Sequence, residues 1–265
     1  LDFRPDRPCT SFSPPSRRRD RQRATELRFV EQGGRRFVVK SYAEPGDGPD
    51  EAARRAQREI DAVAAFRRAG AGALEPLAGP LDTAGFDLDG RRVELRHALV
   101  FPFVEVPTLY DAIADATDAT PLVAEAGRRI RARHAAADSI AAIHSDGSAH
   151  NVFADWTWFD FCEPHSGDQV RECKGLELLR FVASVVEVSR AGTTRRHVAT
   201  FCDAYADRHL LALALDYSRT EETQMRLKMW SRMLGRPDKL VSLWRGDTTQ
   251  FRRIRTWDAL DHALR

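Results

Sequence analysis

Polar and apolar positions alternate over Thr25-Glu26-Leu27-Arg28-Phe29-Val30, pause at Gln32-Gly33-Gly34 and resume over Phe37-Val38-Val39-Lys40-Ser41-Tyr42. A period of two on both sides of a Gly-Gly pair predicts a β-hairpin, because glycine reaches the positive φ of a tight turn without a Cβ clash. A turn-rich stretch, Glu44-Pro45-Gly46-Asp47-Gly48-Pro49, follows. The period then changes. Over residues 51–69, Ala52, Ala56, Ile60, Val63, Ala64 and Phe66 fall on one broad face with Arg and Glu opposite, which predicts a helix stopped by Gly70-Ala71-Gly72. A second strand pair is predicted over Phe86–Leu88 and Val93–Val104, broken by an Asp89-Gly90 turn.

Beyond Glu105 the pattern is mostly helical. It predicts a short helix over Thr108–Ala116, then a long one capped by Thr120, with Pro121 in its first turn, running to about Ile143. Between Ser145 and Pro164 the periodicity breaks and an aromatic hairpin is predicted, Val152-Phe153-Ala154 against Trp158-Phe159-Asp160-Phe161. Helices resume over Gln169–Ser189 and Thr193–Asp216. A last one, Glu221–Leu234, spaces Met225, Met229 and Met233 four apart, as core packing requires. Three regions result: an Arg-, Pro- and Ser-rich arm or loop over 1–23, a strand-rich part with one helix over 24–105, and a helical part over 106–265.

Composition narrows the classes. With 265 residues, 43% hydrophobic and 30% charged, the chain has the make-up of a globular protein. No apolar run approaches the roughly 18 residues of a membrane-spanning helix. A formal charge of +2, from 41 basic and 39 acidic side chains, gives no bulk attraction to nucleic acid. One basic run, Ser16–Arg23, reads either as a solvated arm or as a phosphate-meeting surface carried by Arg17–Arg23. Cys9, Cys162, Cys173 and Cys202 are widely spaced without a C-x-x-C pair, which suits a reducing compartment. The N-terminus has no apolar signal core and no initiating Met, so a trimmed chain and a cytoplasmic location are expected.

Chemistry-bearing residues follow in a fixed order. Lys40 ends the strand Val38-Val39-Lys40, and Glu59 sits in Gln57-Arg58-Glu59-Ile60 on the next helix. The apolar run Ala98-Leu99-Val100-Phe101-Pro102-Phe103-Val104-Glu105 precedes the junction. His144-x-Asp146-x4-Asn151 follows a long helix, and Phe159-Asp160-Phe161 follows the hairpin. In this order the chain resembles the protein-kinase-like superfamily, most closely its small-molecule branch of aminoglycoside phosphotransferase and choline kinase type, from about Thr25 to Val186. The resemblance implies a two-lobed α+β fold, with a small β-rich N-lobe holding one helix and a larger helical C-lobe. It implies Mg²⁺- and ATP- (or GTP-) dependent phosphoryl transfer to a hydroxyl of a small molecule, natural product or peptide.

The same resemblance implies the roles. Lys40 neutralises phosphates, and Glu59 holds Lys40. Val38 covers the base, and the strand and hinge Phe101, Pro102, Phe103 and Val104 hold its edge. Asp146 accepts the hydroxyl proton, while Asn151 and Asp160 offer the hard oxygen ligands that Mg²⁺ prefers. Read singly, these residues have plainer explanations. Lys40 is then an edge-strand guard, Glu59 an exposed partner of Arg55, and Asp146 and Asn151 are turn formers. Asp155 is a rival metal ligand, and His144, His150, Cys162, His165 and Cys173 cluster in sequence as a zinc site would, at spacings that match no zinc motif. His144 is otherwise expected to bond backbone near Asp160, and Glu177 is the nearest candidate for anchoring the Asp146 loop from its helix. The chain departs from the family pattern in three places: no glycine-rich loop precedes Thr25, Cys162 stands where a glycine is usual, and Asp160 follows Asn151 by only nine positions. A second reading, a pseudokinase scaffold that keeps the fold without the activity, rests on these departures.

Overall fold

The computed structural model describes residues 3–5, 7–13, 26–42, 49–81, 86–93, 97–190, 192–219 and 249–265. The Arg17–Arg23 run, the loop at 44–48 and the Met225, Met229 and Met233 stripe lie outside the described residues. The described residues hold seven strands, all before residue 103: β1 (Thr10–Ser11), β2 (Glu26–Gln32), β3 (Arg35–Ser41), β4 (Ala78–Leu81), β5 (Phe86–Leu88), β6 (Arg91–Val93) and β7 (Ala98–Pro102). Five of them form one antiparallel sheet in the order β1-β2-β3-β7-β4, and β5 and β6 pair separately. The helices are α1 (Pro49–Arg68), α2 (Leu109–Asp115), α3 (Thr120–Ala136), α4 (Val170–Val188), α5 (Thr194–Tyr205), α6 over 208–219 and α7 (Thr249–Leu264). The architecture is mixed α+β, and no helix among the described residues is long and apolar enough to cross a membrane.

Register decides what each face of the sheet does. Leu27 faces Lys40, Phe29 faces Val38, Val38 faces Phe101 and Lys40 faces Leu99 across the β2-β3-β7 ladder. Directly opposed residues share a face, so these side chains all point one way. The alternate set, Val30, Phe37, Val39, Ala98 and Val100, points the other way and is buried with Phe3, Cys9 and Phe86 in one core. A one-residue slip would exchange the two sets and expose the core. Gly33 and Gly34, at φ 58° and 73°, make the β2–β3 turn.

Several elements differ from the sequence expectation. The stretch expected as one strand from Val93 to Val104 is two, because β6 ends at Val93 and β7 starts after His97, at φ 48°. Strands β1 and β4 were invisible to the period: one is two residues long, and the other contains Gly79-Pro80. Residues 3–13, expected within a loose arm, bury Phe3 and Cys9 against the sheet. Helix α3 stops at Ala136 rather than near Ile143, and its cap position is Ala119, while the Asp118 carboxylate accepts from Thr120 N–H at 3.1 Å. The expected helix over Thr193–Asp216 breaks at Ala206, φ 60°, and Asp207 then caps α6 by accepting from Leu210 N–H at 3.1 Å.

Beneath the loop at 144–148 lies a buried polar network. Glu177 of α4 is fully buried and takes Arg133 of α3 on Oε1 and His134 Nε2 at 2.8 Å on Oε2. His134 Nδ1 lies 2.8 Å from the Tyr205 hydroxyl. A carboxylate only accepts, so His134 donates from Nε2 and receives the Tyr205 proton on Nδ1. The Arg133 guanidinium lies 4.3 Å from the Phe66 ring centre and 4.7 Å from that of Trp158, so π-faces receive the charge where hydrogen bonds do not. Its Nε and Nη1 have no hydrogen-bond partner among the described residues. Gly147 sits over Glu177, and a Cβ there would come within 2.7 Å of Oε1.

Two predictions follow from this packing. Phe66 touches His144, Trp158, Phe161 and Arg133, and Phe66→Ala should cost about 3–5 kcal/mol in denaturant unfolding. Burial opposes the ionised Glu177 carboxylate, but Arg133 and His134 override it and hold its pKa at about 2, below the ordinary 4.5. A depressed carboxyl stabilises the fold above its unfolded value and loses that contribution as pH falls through its folded one. Burial also depresses His134, which the unfolded chain would protonate first, so both groups make acid destabilising. Glu177→Gln should cost about 3–5 kcal/mol at pH 7 by stranding Arg133, and should flatten the loss of stability between pH 4.5 and about 2, read from denaturant midpoints across that range.

Candidate active site

The cleft face of the sheet ends on one buried cation. Lys40 stands in β3, an interior strand of the sheet, so it is not an edge guard. Its side chain is 6% exposed, and Nζ lies 2.7 Å from Glu59 Oε2 and 2.5 Å from Asp160 Oδ1. Glu59 reaches it because α1 packs on this face of the sheet, burying Ala52 and Ala56 with Leu99, Phe101 and Tyr42. Acidic Asp50 and Glu51 at the start of α1 and basic Arg67 and Arg68 at its end match the helix dipole. Arg55 lies 3.5 Å from Glu51, and Glu59 is 2% exposed, so it is not an exposed helix charge.

Asp160 arrives by a different route. The segment 151–161 is a compact hairpin-like loop, closed by Phe153 N–H to Thr157 O at 2.9 Å and Phe159 N–H to Asn151 O at 3.0 Å. It is tied on one side to the chain after α1 (Leu74 N–H to Trp158 O, 2.8 Å) and on the other to the first residue of α2 (Leu109 N–H to Val152 O, 2.7 Å). Asp160 itself has φ 67°, a left-handed backbone that non-glycine residues rarely adopt and that marks sites where side-chain aim outweighs local comfort. Its side chain is 43% exposed to the cleft. Oδ1 receives Lys40 and, at 3.4 Å, the Cys162 thiol.

Electrostatics follow from this triangle. Burial alone would lower the Lys40 pKa, but Asp160 and Glu59 reverse the effect and raise it well above the ordinary lysine value. Burial would raise Asp160, and Lys40 overrides it to hold the carboxyl below the usual range. Burial pushes the Cys162 thiol far up, which removes it as a nucleophile at neutral pH.

Lys40 and Asp160 close one end of a cleft of about 110 Å³, which Glu59, Val38, Phe101, Pro102, Phe103 and Val104 also line. Leu27, Phe29, Leu74, Phe153 and Phe159 complete its wall. Leu27 and Phe29 could have been found by carrying the period of two across the hairpin; Leu74, Phe153 and Phe159 lie in irregular segments that carry no period. At the other end, Pro102 has no N–H and the Phe103 N–H is spent on Arg36 O at 3.0 Å. Of these three residues Val104 keeps a backbone N–H with no backbone acceptor among the described residues.

Asp146 and Asn151 do not line this cavity. Asp146 is exposed, and Asn151 Nδ2 donates to its carbonyl at 2.8 Å and to its Oδ2 at 3.1 Å, leaving Oδ1 of Asn151 as the ligand atom of that side chain. Both are coupled to Asp160 through His144, whose Nε2 donates to Phe159 O at 2.9 Å and whose Nδ1 accepts Asp146 N–H at 3.1 Å. His144 is 1% exposed, and burial holds its pKa below the ordinary histidine value. Asp155 instead accepts from Thr157 N–H at 3.0 Å in the loop's turn. The sequence cluster of His144, His150, Cys162, His165 and Cys173 forms no zinc site among the described residues; the set whose ligand atoms converge is Glu59, Asp160 and Cys162, around Lys40. No protein-family model matches the chain, and a search of curated proteins finds no match either.

Proposed function

We propose that the chain is a phosphotransferase of two-lobed, protein-kinase-like architecture, which binds a nucleoside triphosphate with Mg²⁺ in the cleft and transfers its terminal phosphoryl group to a hydroxyl. The observation that carries the reading is the Lys40 ammonium, buried between Glu59 and Asp160 in the wall of an apolar cleft that Val38 and Phe101–Val104 also line. A flat base fits between Val38, Phe101 and the aromatic side chains of the cleft, with the Val104 N–H and the Pro102 carbonyl meeting its edge. Polyphosphate then falls at Lys40.

The donor set suits the metal. Asp160 keeps Oδ2 without a partner among the described residues, and Asn151 keeps Oδ1; both are hard oxygens of the kind Mg²⁺ takes. When bound, Mg²⁺ would neutralise charge on the phosphates. Lys40 shares that task and is held by Glu59 when Asp160 turns to the metal. Asp146, exposed beside Asn151, accepts the proton of the attacking hydroxyl. The new bond joins the hydroxyl oxygen to the terminal phosphorus, the bond from that phosphorus to the bridging oxygen breaks, and the nucleoside diphosphate leaves with the electron pair. The acceptor is a small molecule, a natural product or a peptide hydroxyl.

Calorimetric titration of Mg·ATP and Mg·GTP into the protein tests binding. Lys40→Ala and Asp160→Asn should each weaken the preferred nucleotide at least about tenfold, the scale of a charge-assisted contact. Asp146→Asn should leave binding intact and lower diphosphate release, in a screen of hydroxylated acceptors, by about 10²–10⁴-fold. Binding without turnover of any acceptor would favour the scaffold reading, and no binding at millimolar nucleotide would overturn both.

A further inference from the structure

Tyr42 stands two residues after Lys40, so the strand period carries both side chains to the same face, and its side chain is fully buried. Its hydroxyl bonds Glu59 Oε2, the same oxygen that takes Lys40 Nζ at 2.7 Å. A carboxylate has no proton to give, so the phenol is the donor. The other oxygen, Oε1, accepts the Phe161 N–H at 3.4 Å. Lys40 Nζ in turn lies 5.2 Å from the centre of the Tyr42 ring. Glu59 is therefore held by three donors from three segments: β3, the residue just beyond it, and the chain after Asp160.

The arrangement matters most when Asp160 is engaged elsewhere. Lys40 then has Glu59 as its remaining carboxylate, and a buried glutamate on a flexible side chain must be kept facing the strand. We propose that Tyr42 is a positioning residue of the phosphate-binding centre, whose hydroxyl fixes the Glu59 carboxylate and so holds the Lys40 ammonium in the cleft. The inference rests on the nucleotide reading above and adds a residue to it. Burial raises the phenol's pKa well above the ordinary tyrosine value, so the group remains a donor across the working pH range.

Tyr42→Phe keeps the ring and its packing and removes only the donor. Titrations of Mg·AMP-PNP and of adenosine against the wild type, Tyr42→Phe, Glu59→Gln and the double variant separate the outcomes. Tyr42→Phe should weaken Mg·AMP-PNP about 5- to 20-fold and change adenosine affinity less than about twofold, because only the phosphates meet Lys40. In the Glu59→Gln background the Tyr42→Phe effect should fall below about twofold, since the residue acts through Glu59. Unchanged Mg·AMP-PNP affinity, an equal loss for adenosine, or a full effect without Glu59 would each overturn the proposal. A wild type that binds Mg·AMP-PNP while Tyr42→Phe binds equally well sinks the inference alone; a wild type that binds neither ligand sinks the nucleotide reading and the inference with it. Should the phenylalanine variant fail to fold, 3-fluorotyrosine at position 42 gives a second readout. Its ¹⁹F resonance should shift with Mg·AMP-PNP and not with adenosine, and no shift with the nucleotide overturns the proposal.

Discussion

A lysine ammonium taken almost wholly out of water is costly unless negative charge meets it. Here two carboxylates do, one 19 residues away on α1 and the other 120 residues away in the loop after the hairpin. Neither contact is local, so the charge at Lys40 ties together segments up to 120 residues apart. The surrounding architecture can be understood as what keeps those three groups together: a sheet register that aims Lys40, a helix laid across the sheet to aim Glu59, and a strained backbone that aims Asp160.

The opposite end of the cleft obeys a different constraint. Apolar side chains from β2, β3 and β7 present one face to open space while their neighbours fill a core on the other. A concave apolar wall with few, convergent polar groups is how proteins hold flat ligands. The helical part adds Phe153, Phe159 and Asp160 to the cleft wall and a buried support beneath it. Glu177, Arg133 and His134 are buried as a connected polar unit directly under Gly147, so the loop bearing Asp146 rests on a base that exchanges little with solvent.

Much of this was readable from residue types and spacing. The β2–β3 hairpin, α1, α2 and α4 follow from strong periodicity and ordinary turn and cap residues, whereas Lys40, Glu59 and Asp160 stand out only through their order along the chain and the resemblance that order carries. The candidate cleft residues Val38 and Phe101–Val104 came from that resemblance as well. Other features were not. A two-residue strand has no period, Gly79-Pro80 in β4 reads as a turn, and the break at Ala206 rests on a left-handed alanine that composition does not announce. Tyr42 was hidden by its ordinariness, since a tyrosine ending a strand is common and only its partner distinguishes it. The Arg133–Glu177 pairing joins two helices 44 residues apart, a separation that no local rule reaches.

His144 spends both ring nitrogens on the loop it belongs to and on the loop that carries Asp160. The loops that carry Asp146 and Asp160 are thereby mounted on a common chassis, with the imidazole as the bolt between them. Because that link runs through backbone groups, the Asp146 N–H and the Phe159 carbonyl, the two loops are held in step whatever either carboxylate side chain touches.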